Sequence, residues 1–281
     1  MFLSIDFEDF SHDLKRDLGI WKTGTLRVDC LWESYYEIDS FLKKFGGTKG
    51  QKATFFCTGI IAKQAPDLLR AIAEDGHEIA SHYYFHDEMY KQDLSTIDKN
   101  LKKSKELLED ASSSPVMGFR APKFKIDKRE VQQYLKVQES FIYDSSFVAR
   151  RTSDVELFTK SMSLDKLKIL PIFTDKINGI NLKLGGSYLK IFPAQMSKKL
   201  IINAEVTGFT PHIYIHPYEF NSNQSYRVRL KELSSLNIPK SIYWSLRQHQ
   251  WLSIGNYSLQ RKLAFLIGEK GLGGRLCDHL L

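Results

Sequence analysis

Short apolar runs alternate with longer helix-compatible stretches, and this alternation is the feature that most constrains the fold. Apolar runs stand near 2–6, 53–57 and 78–80, and stretches of helical character lie between them at about 29–44 and 65–74. Neighbouring parallel strands need a crossover of about a dozen residues or more, which a helix usually supplies. We therefore expect a parallel α/β barrel with its functional residues at the carboxyl ends of the strands. Later strand candidates continue the pattern at 117–119, 142–143, 168–170 and 213–215.

Composition and length agree with a globular barrel. The chain has 281 residues, of which 42% are hydrophobic and 26% charged, as in ordinary globular proteins. It contains no run of about 18 apolar residues that could span a bilayer. One further stretch, from about 93 to 108, predicts a long amphipathic helix. Its apolar stripe consists of Leu94, Ile97, Leu101, Leu107 and Leu108.

Three carboxylates stand at the end of the first apolar run, at Asp6, Glu8 and Asp9. Carboxylates held this close repel one another unless a cation or a proton offsets their charge, so a metal ion is the first partner to consider. His82 and His86 lie four residues apart, a spacing that brings two imidazoles to one face of a helical turn. The sequence therefore offers three ligands for a divalent ion.

The order of the segments resembles a known family. The acidic strand is followed by Ala-Thr-Phe-Phe-Cys at 53–57, by the two-histidine segment, by Gly-Phe-Arg-Ala-Pro at 118–122 and by His-Ile-Tyr-Ile-His-Pro at 212–217. This pattern resembles the polysaccharide deacetylases with a NodB homology domain. These are metal-dependent carbohydrate esterases that remove N-acetyl or O-acetyl groups from sugars. The resemblance covers most of residues 1–220.

Three segments resemble one branch of that family, which is often found in exopolysaccharide and surface-glycan assembly. They are Asp-x-Glu-Asp at 6–9, Gly-Gly-x-Tyr at 185–188 and His-Pro-Tyr-Glu at 216–219. The resemblance implies a distorted (β/α)7, TIM-like barrel over residues 1–225. Residues 226–281 lie beyond these motifs, and their sequence predicts a helical C-terminal extension packed on the barrel.

The resemblance implies a bound divalent metal ion, and the ligand set favours zinc, with cobalt, nickel or manganese as alternatives. His82 and His86 are two of its ligands by this resemblance. Asp6 and Glu8 lie two residues apart and share a face of an extended strand, which favours Asp6 as the general base and Glu8 as the third ligand. Asp9 is the rival ligand if the chain turns one residue after Asp6.

Two further catalytic roles follow from the resemblance. Arg120 is expected to orient the carboxylate of Asp6, a task suited to its fixed fork of donors. His216 is expected to be the general acid that protonates the leaving amine. A nearby carboxylate is needed to keep His216 protonated, and Asp144 or Glu219 could serve; the sequence leaves both open.

The loop after the arginine departs from the family pattern. Lys123 and Phe124 follow Pro122 where the family has a glycine. The backbone N–H of Lys123 is expected to take the oxyanion role there, with Pro122 beside the site. Tyr188 is expected to contact the substrate, by resemblance alone.

We expect from these residues a hydrolase that removes N-acetyl groups from an amino sugar in the biosynthesis of a bacterial surface polysaccharide, such as an O-antigen, a capsule or an exopolysaccharide. One alternative is a related carbon–nitrogen hydrolase that acts on a small non-sugar amide, as the allantoinase-like relatives of this fold do. The other is a barrel that has lost catalysis and binds a glycan.

The charge of the chain bears on its partners. A formal net charge of +7 and a pI near 9.1 suit a nucleotide- or lipid-linked sugar or an anionic membrane surface. No nucleic-acid-binding module is recognisable, so nucleic acid is not expected. The first strand begins at residue 2 without a leader, and the three cysteines are widely spaced, so we expect a cytoplasmic protein or one at the inner face of the membrane. Phe265, Leu266 and Leu272 are the candidates for a peripheral membrane contact, and the oligomeric state is not predicted.

Overall fold

A parallel sheet forms the centre of the structure, a computed structural model that describes residues 1–20, 25–46, 50–127, 129–220 and 224–280. The strands of these residues are, in chain order, β1 (Phe2–Phe7), β2 (Thr54–Cys57), β3 (Glu78–Ser81), β4 (Gly118–Phe119), β5 (Tyr143–Asp144), β6 (Val148–Ala149), β7 (Lys168–Ile169), β8 (Ile172–Ile177), β9 (Ile180–Lys183) and β10 (His212–Ile215).

The main sheet of the described chain has seven strands in the order β10-β1-β2-β3-β4-β5-β7, and each pairing is parallel. A smaller sheet consists of β6, β8 and β9, in which β8 and β9 are antiparallel. All residues of β1, β2, β3 and β10 are buried, because helices and loops cover both faces of the sheet. The prediction of a distorted (β/α)7 barrel-like fold is confirmed.

Helices follow most of the parallel strands and supply the crossovers. They are α1 (Phe10–Asp17), α2 (Val28–Lys43), α3 (Gly59–Gln64), α4 (Pro66–Glu74), α5 (Leu94–Ser112), α6 (Val131–Ser140), α7 (Thr152–Ser161), α8 (Gly186–Ile191), α9 (Ala194–Val206), α10 (Pro217–Phe220), α11 (Ile238–Ser253) and α12 (Asn256–Lys270).

Helix α5 shows how the local sequence forms these crossovers. Asp93 caps its N-terminus, where its carboxylate accepts a hydrogen bond from the Thr96 N–H at 2.9 Å. Ile97, Leu101 and Leu108 of the predicted apolar stripe are fully buried against the barrel. Leu94 and Leu107 are less covered, because they lie at the margin of that stripe.

The two-histidine segment is not helical, which corrects the sequence prediction. Strand β3 ends at Ser81, and Tyr83 takes a left-handed conformation with φ 68°. The carbonyls of Tyr83 and Tyr84 accept hydrogen bonds from the first N–H groups of α3, those of Gly59 at 2.9 Å and Ile60 at 3.0 Å. These bonds satisfy two of the backbone N–H groups that the N-terminus of a helix leaves without a partner. They also hold residues 82–86 in an irregular turn, where the spacing of His82 and His86 predicted a helix.

The C-terminal helices pack directly on the barrel. Leu259, Leu263 and Leu266 of α12 are fully buried in the same apolar core as Leu3 and Ile5 of β1. Helix α12 therefore shares the core of the barrel, and the division into 1–225 and 226–281 stays a prediction.

The predicted membrane contact needs a correction. Leu266 is fully buried and Leu272 is partly buried, so of the three apolar residues in that prediction Phe265 alone is exposed. No helix in the described ranges is both long enough and apolar enough to span a bilayer.

Candidate metal centre and active site

A buried cluster of one carboxylate and two imidazoles lies at the carboxyl ends of β1 and β3. One ligand atom each from Glu8, His82 and His86 lies within 4.8 Å of the others. Glu8 Oε2 lies 2.7 Å from His86 Nε2 and 3.5 Å from His82 Nε2. One carboxylate and two imidazoles form a ligand set that zinc accepts, with further coordination positions left for water and substrate.

Hydrogen bonds orient the imidazole of His82 toward the cluster. His82 Nδ1 donates to the backbone carbonyl of Arg120 at 2.8 Å, which leaves the Nε2 lone pair directed at Glu8. Such a contact to the second ring nitrogen is usual for metal-binding histidines.

Two polar atoms of this cluster have no hydrogen-bond partner among the described residues. Within the described residues, Glu8 Oε2 and His86 Nδ1 are buried without hydrogen-bond geometry to any partner. Burial alone would raise the pKa of Glu8, but the neighbouring imidazoles of His86 and His82 hold it well below its usual value. An ionised carboxylate facing two imidazoles, with an oxygen that accepts no hydrogen bond, fits a cation ligand.

The two carboxylates that compete for the ligand role in the sequence have different surroundings. Asp9 caps helix α1, where its Oδ1 accepts from the N–H groups of Ser11 at 2.9 Å and His12 at 3.2 Å. Its Oδ2 accepts from the Arg27 N–H at 2.6 Å. Asp9 therefore points away from the histidines, and Glu8 lies beside them.

Asp6 and Arg120 form a fully buried pair next to the cluster. Arg120 Nη1 donates to Asp6 Oδ1 and to Ser4 Oγ, the latter at 2.9 Å. Arg120 Nη2 donates to Ser145 Oγ at 2.9 Å and lies 3.2 Å from His212 Nε2. These contacts hold the guanidinium in one orientation, and through it the Asp6 carboxylate.

The carboxylate beside His216 is Glu219. His216 Nδ1 lies 3.0 Å from Glu219 Oε2, and His216 Nε2 lies 4.0 Å from Asp6 Oδ2. Burial lowers the pKa of His216, but the charge and hydrogen bond of Glu219 outweigh it and raise the pKa to about 9. Asp144, the other candidate, accepts hydrogen bonds from the N–H and hydroxyl of Ser146.

The two glycines at the start of α8 are needed because the space for a Cβ is already occupied. A Cβ on Gly185 would lie 2.5 Å from the Tyr214 ring, and one on Gly186 would lie 2.2 Å from Glu219 Oε2. Ser187 donates its hydroxyl to the same carboxylate, at Oε1. The Gly-Gly segment thus packs against the group that sets the pKa of His216.

These groups open into one cavity of about 380 Å³. Lys123 lines its mouth and forms an ion pair with Asp17 at 2.6 Å. Lys123 and Phe124 are both left-handed, with φ of 55° and 57°, in the loop where the family pattern has glycine. Pro122 is buried behind this loop, and Tyr188 is not among the residues that line the cavity.

Sequence reasoning missed several residues that line this cavity. Tyr214 and Tyr218 flank His216, and Lys183 reaches it from β9. Trp244 and Trp251 reach it from α11, and their seven-residue spacing was a signal for one helix face. Phe10, Asp13, Leu14 and Asp17 also line it, all of them from α1.

Two known families match parts of this chain. Residues 26–139 match the family described as polysaccharide deacetylase, and residues 142–249 match a domain of unknown function, DUF3473. A peptidoglycan deacetylase-like protein of Gibberella zeae is 32% identical over 156 residues, which cover 52% of this chain and 43% of that protein. The chain spans less than half the length of the curated relatives it matches.

Solved structures share the fold over nearly the whole chain. A Mycobacterium smegmatis protein assigned to the polysaccharide deacetylases has a TM-score of 0.54 at 17% identity, over 97% of this chain and 92% of that one. An allantoinase has a TM-score of 0.55 at 13% identity, over 98% of this chain and 88% of that one. At these identities the likeness concerns the fold alone.

Proposed function

We propose that this chain, whose residues 26–139 match the polysaccharide deacetylase family, is a metal-dependent hydrolase that removes N-acetyl groups from an amino sugar during assembly of a bacterial surface polysaccharide. The observation that carries this proposal is the shared cavity. The Glu8, His82 and His86 cluster opens into it beside Asp6 and His216. An amide needs both an activated water and a proton for its leaving nitrogen, and this cavity has a group for each.

The metal would be held by Glu8, His82 and His86, and zinc suits these ligands, with cobalt, nickel or manganese as alternatives. When bound, a divalent ion would polarise the acetamide carbonyl and lower the pKa of the attacking water. His82 keeps its orientation through its bond to the Arg120 carbonyl.

Asp6 is the proposed general base. Arg120 holds Asp6 Oδ1, so Oδ2 remains directed toward His216 and the cavity. In this position Asp6 Oδ2 accepts the proton of the attacking water. The fixed arginine fork reduces the reorientation that the carboxylate needs when it takes the proton.

His216 is the proposed general acid. With a pKa of about 9 it is protonated at neutral pH, and its Nε2 faces the same space as Asp6 Oδ2. His216 Nε2 therefore donates a proton to the amine nitrogen as the carbon–nitrogen bond breaks. Glu219 remains ionised and stabilises the imidazolium.

Acetate release from N-acetylglucosamine oligosaccharides tests the proposal. We expect the protein to release acetate, and Asp6→Asn and His216→Asn each to lower kcat by about 100-fold or more, as for removal of a general base or acid. His249→Asn, at an exposed histidine of α11, is the matched control and should keep full activity.

The allantoinase-like alternative is tested in the same assay with small ureides such as allantoin. Hydrolysis of a ureide without acetate release from any acetylated sugar would replace the proposal by this alternative. A purified protein that holds no stoichiometric metal and gains no activity when zinc or cobalt is added would favour a glycan-binding barrel.

We also propose that the acetylated sugar is linked to a nucleotide or lipid carrier and that the reaction takes place in the cytoplasm. The net charge of +7 supports an anionic carrier, and the thiols of Cys30, Cys57 and Cys277 are buried and unpaired. Cell fractionation tests the compartment. Recovery of the protein from the medium or the periplasm would contradict it.

A further inference from the structure

The acidic side chains that line the cavity are matched by partners in the described part of the chain. Each has a guanidinium, ammonium or imidazole nitrogen within ion-pair distance. The pairs are Asp6 with Arg120, Glu8 with His86, Asp13 with His12 and Asp17 with Lys123.

Lys183 is the cation of this cavity that has no such partner. It is the last residue of β9, and no carboxylate of the described residues lies within ion-pair distance of its ammonium group. It is half buried, with Nζ 5.7 Å from the centroid of the Phe124 ring. A half-buried cation without a counter-charge is costly, and an anion supplied by a ligand would offset that cost.

A second lysine increases the positive potential at this wall. Burial and the nearby charge of Lys125 both lower the pKa of Lys183. Lys125 is exposed and lies with Nζ 5.9 Å from the Tyr90 ring centroid. Lys125 does not itself line the cavity, and the other lysine that does, Lys123, is already paired with Asp17.

A row of aromatic side chains that line the cavity begins at His216. Tyr218 stacks on His216 with ring centroids 5.0 Å apart, and Phe10 lies 5.0 Å from Tyr218. Trp251 of α11 packs on Phe10 at 5.7 Å, and Trp244 lies beside Trp251 at 6.2 Å. An apolar platform of this kind suits the face of a sugar ring. Lys183 can then bind a charged substituent of that sugar.

We propose that Lys183 is the anion-binding residue of the substrate site and that it takes a carboxylate or phosphate group carried by the acetylated sugar or by its carrier. This inference rests on the proposed function, because the ligand is the substrate of the same cavity. The ammonium group of a lysine binds a carboxylate and a phosphate in the same way, as a point charge. The experiment therefore has to distinguish these two anions.

The experiment compares acetate release from three probes: a neutral N-acetylglucosamine oligosaccharide, an N-acetylhexosaminuronic acid and UDP-N-acetylglucosamine. Lys183→Met removes the charge and keeps the length of the side chain. Lys176→Met is the matched control, because Lys176 is an exposed lysine of the same β8–β9 ribbon and does not line the cavity.

We expect Lys183→Met to lower the ratio of kcat/KM on an anionic probe to that on the neutral probe by about 10- to 100-fold, the range for a hydrogen bond to a charged group. The loss should lie mainly in KM, and Lys176→Met should leave the ratio unchanged. If this ratio falls for the uronic acid, the bound group is a carboxylate substituent of the sugar. If it falls for UDP-N-acetylglucosamine, the bound group is a phosphate of the carrier. An unchanged ratio for both anions, or an equal loss on all three probes, would overturn the inference.

Failure of the proposed function gives a different result. If the unaltered protein releases no acetate from any probe, the function is wrong, and Lys183 is then tested by calorimetric binding of the uronic acid and of UDP-N-acetylglucosamine. Weaker binding of one anion to Lys183→Met than to Lys176→Met supports the anion site. Equal binding to the two variants, or to neither, overturns it.

Discussion

Glu8 and Asp9 are adjacent in sequence and have the same chemical group, yet their contacts differ. Strand β1 stays extended through Phe7, so Glu8 follows Asp6 toward the cavity. Asp9 instead accepts three backbone N–H groups at the start of α1 and at Arg27. The path of the chain, more than the residue type, separates a candidate ligand from a helix cap.

Substitution of these two carboxylates gives the first prediction. We expect Glu8→Ala to abolish metal binding, because it removes the only carboxylate of the described cluster. We expect Asp9→Ala to keep the metal but to lower the free energy of unfolding by about 1–3 kcal/mol, because three N–H groups lose their acceptor. Bound metal and urea unfolding are the measurements.

Asp9→Asn is the control, because an amide oxygen can still cap the helix. Metal bound at full stoichiometry by Glu8→Ala would show that Glu8 is not a ligand. Loss of metal in Asp9→Asn would return the ligand role to Asp9.

The second prediction concerns the pH dependence of His216. Its protonated form is the proposed acid, so activity should fall as the pH rises through its pKa of about 9. Removal of the neighbouring negative charge by Glu219→Gln should lower this pKa toward the usual imidazole value of about 6.5. The alkaline limb of the kcat/KM profile should therefore move to lower pH.

Asp144→Asn is the comparison, since the sequence left Asp144 as an equal candidate. We expect it not to move the alkaline limb, because Asp144 bonds to Ser146. If the alkaline limb of the kcat/KM profile moves in Asp144→Asn and stays fixed in Glu219→Gln, the pairing of His216 with Glu219 is wrong.

The sequence predicted the residues that lie in contiguous motifs. Asp6, Glu8, Arg120 and His216 stand at strand ends, and parallel strands bring their ends to one edge of the sheet, so their meeting followed from the pattern. Lys183 could not be predicted, because β9 belongs to a separate small sheet whose approach to the cavity depends on the tertiary path.

At the scale of elements, the turn between β3 and α5 determines the positions of the two histidines. The spacing of His82 and His86 predicted a helix, and the structure has an irregular turn with a left-handed Tyr83. Its conformation is fixed by hydrogen bonds to α3, a segment more than twenty residues earlier in the chain. Contacts of this range are not visible in local periodicity, so the sequence predicted the two candidate ligands but not the turn that holds them.

The start of helix α8 gives the third prediction. In Gly186→Ala the new Cβ would lie 2.2 Å from Glu219 Oε2, the oxygen that contacts His216 Nδ1, so we expect the carboxylate to shift and this contact to weaken. We expect the alkaline limb of the pH profile to move in the same direction as in Glu219→Gln, with a lower kcat. The kcat/KM profile of the variant is the measurement.

Gly268→Ala is the matched control for this substitution. Gly268 lies inside α12, and a Cβ there would meet no atom within 4 Å. Because alanine favours a helix interior over glycine by about 0.5–1 kcal/mol, this variant should be more stable and unchanged in pH dependence. An unshifted limb in Gly186→Ala would mean that Glu219 does not control the pKa of His216.

At the scale of the whole molecule, the C-terminal residues belong to both the core and the site. Helix α12 buries three leucines in the core that contains β1, and α11 contributes Trp244 and Trp251 to the cavity. The turn at Leu276–His279 covers the opposite end of the barrel, where the Cys277 N–H donates to the buried Glu78 at 3.1 Å. The sequence predicted helices packed on a barrel. It did not predict that Trp244 and Trp251 line the cavity, because this depends on the tertiary position of α11.

Metal-dependent deacetylation is the central claim, and metal titration of the stripped protein tests it most directly. The protein is freed of metal with a chelator, Zn2+ is added stepwise, and bound metal and acetate release from N-acetylglucosamine oligosaccharides are measured together. We predict no acetate release without metal, and a rate that rises with added Zn2+ until one ion is bound per chain. Full acetate release from the metal-free protein, or bound metal that produces no acetate, would contradict the account.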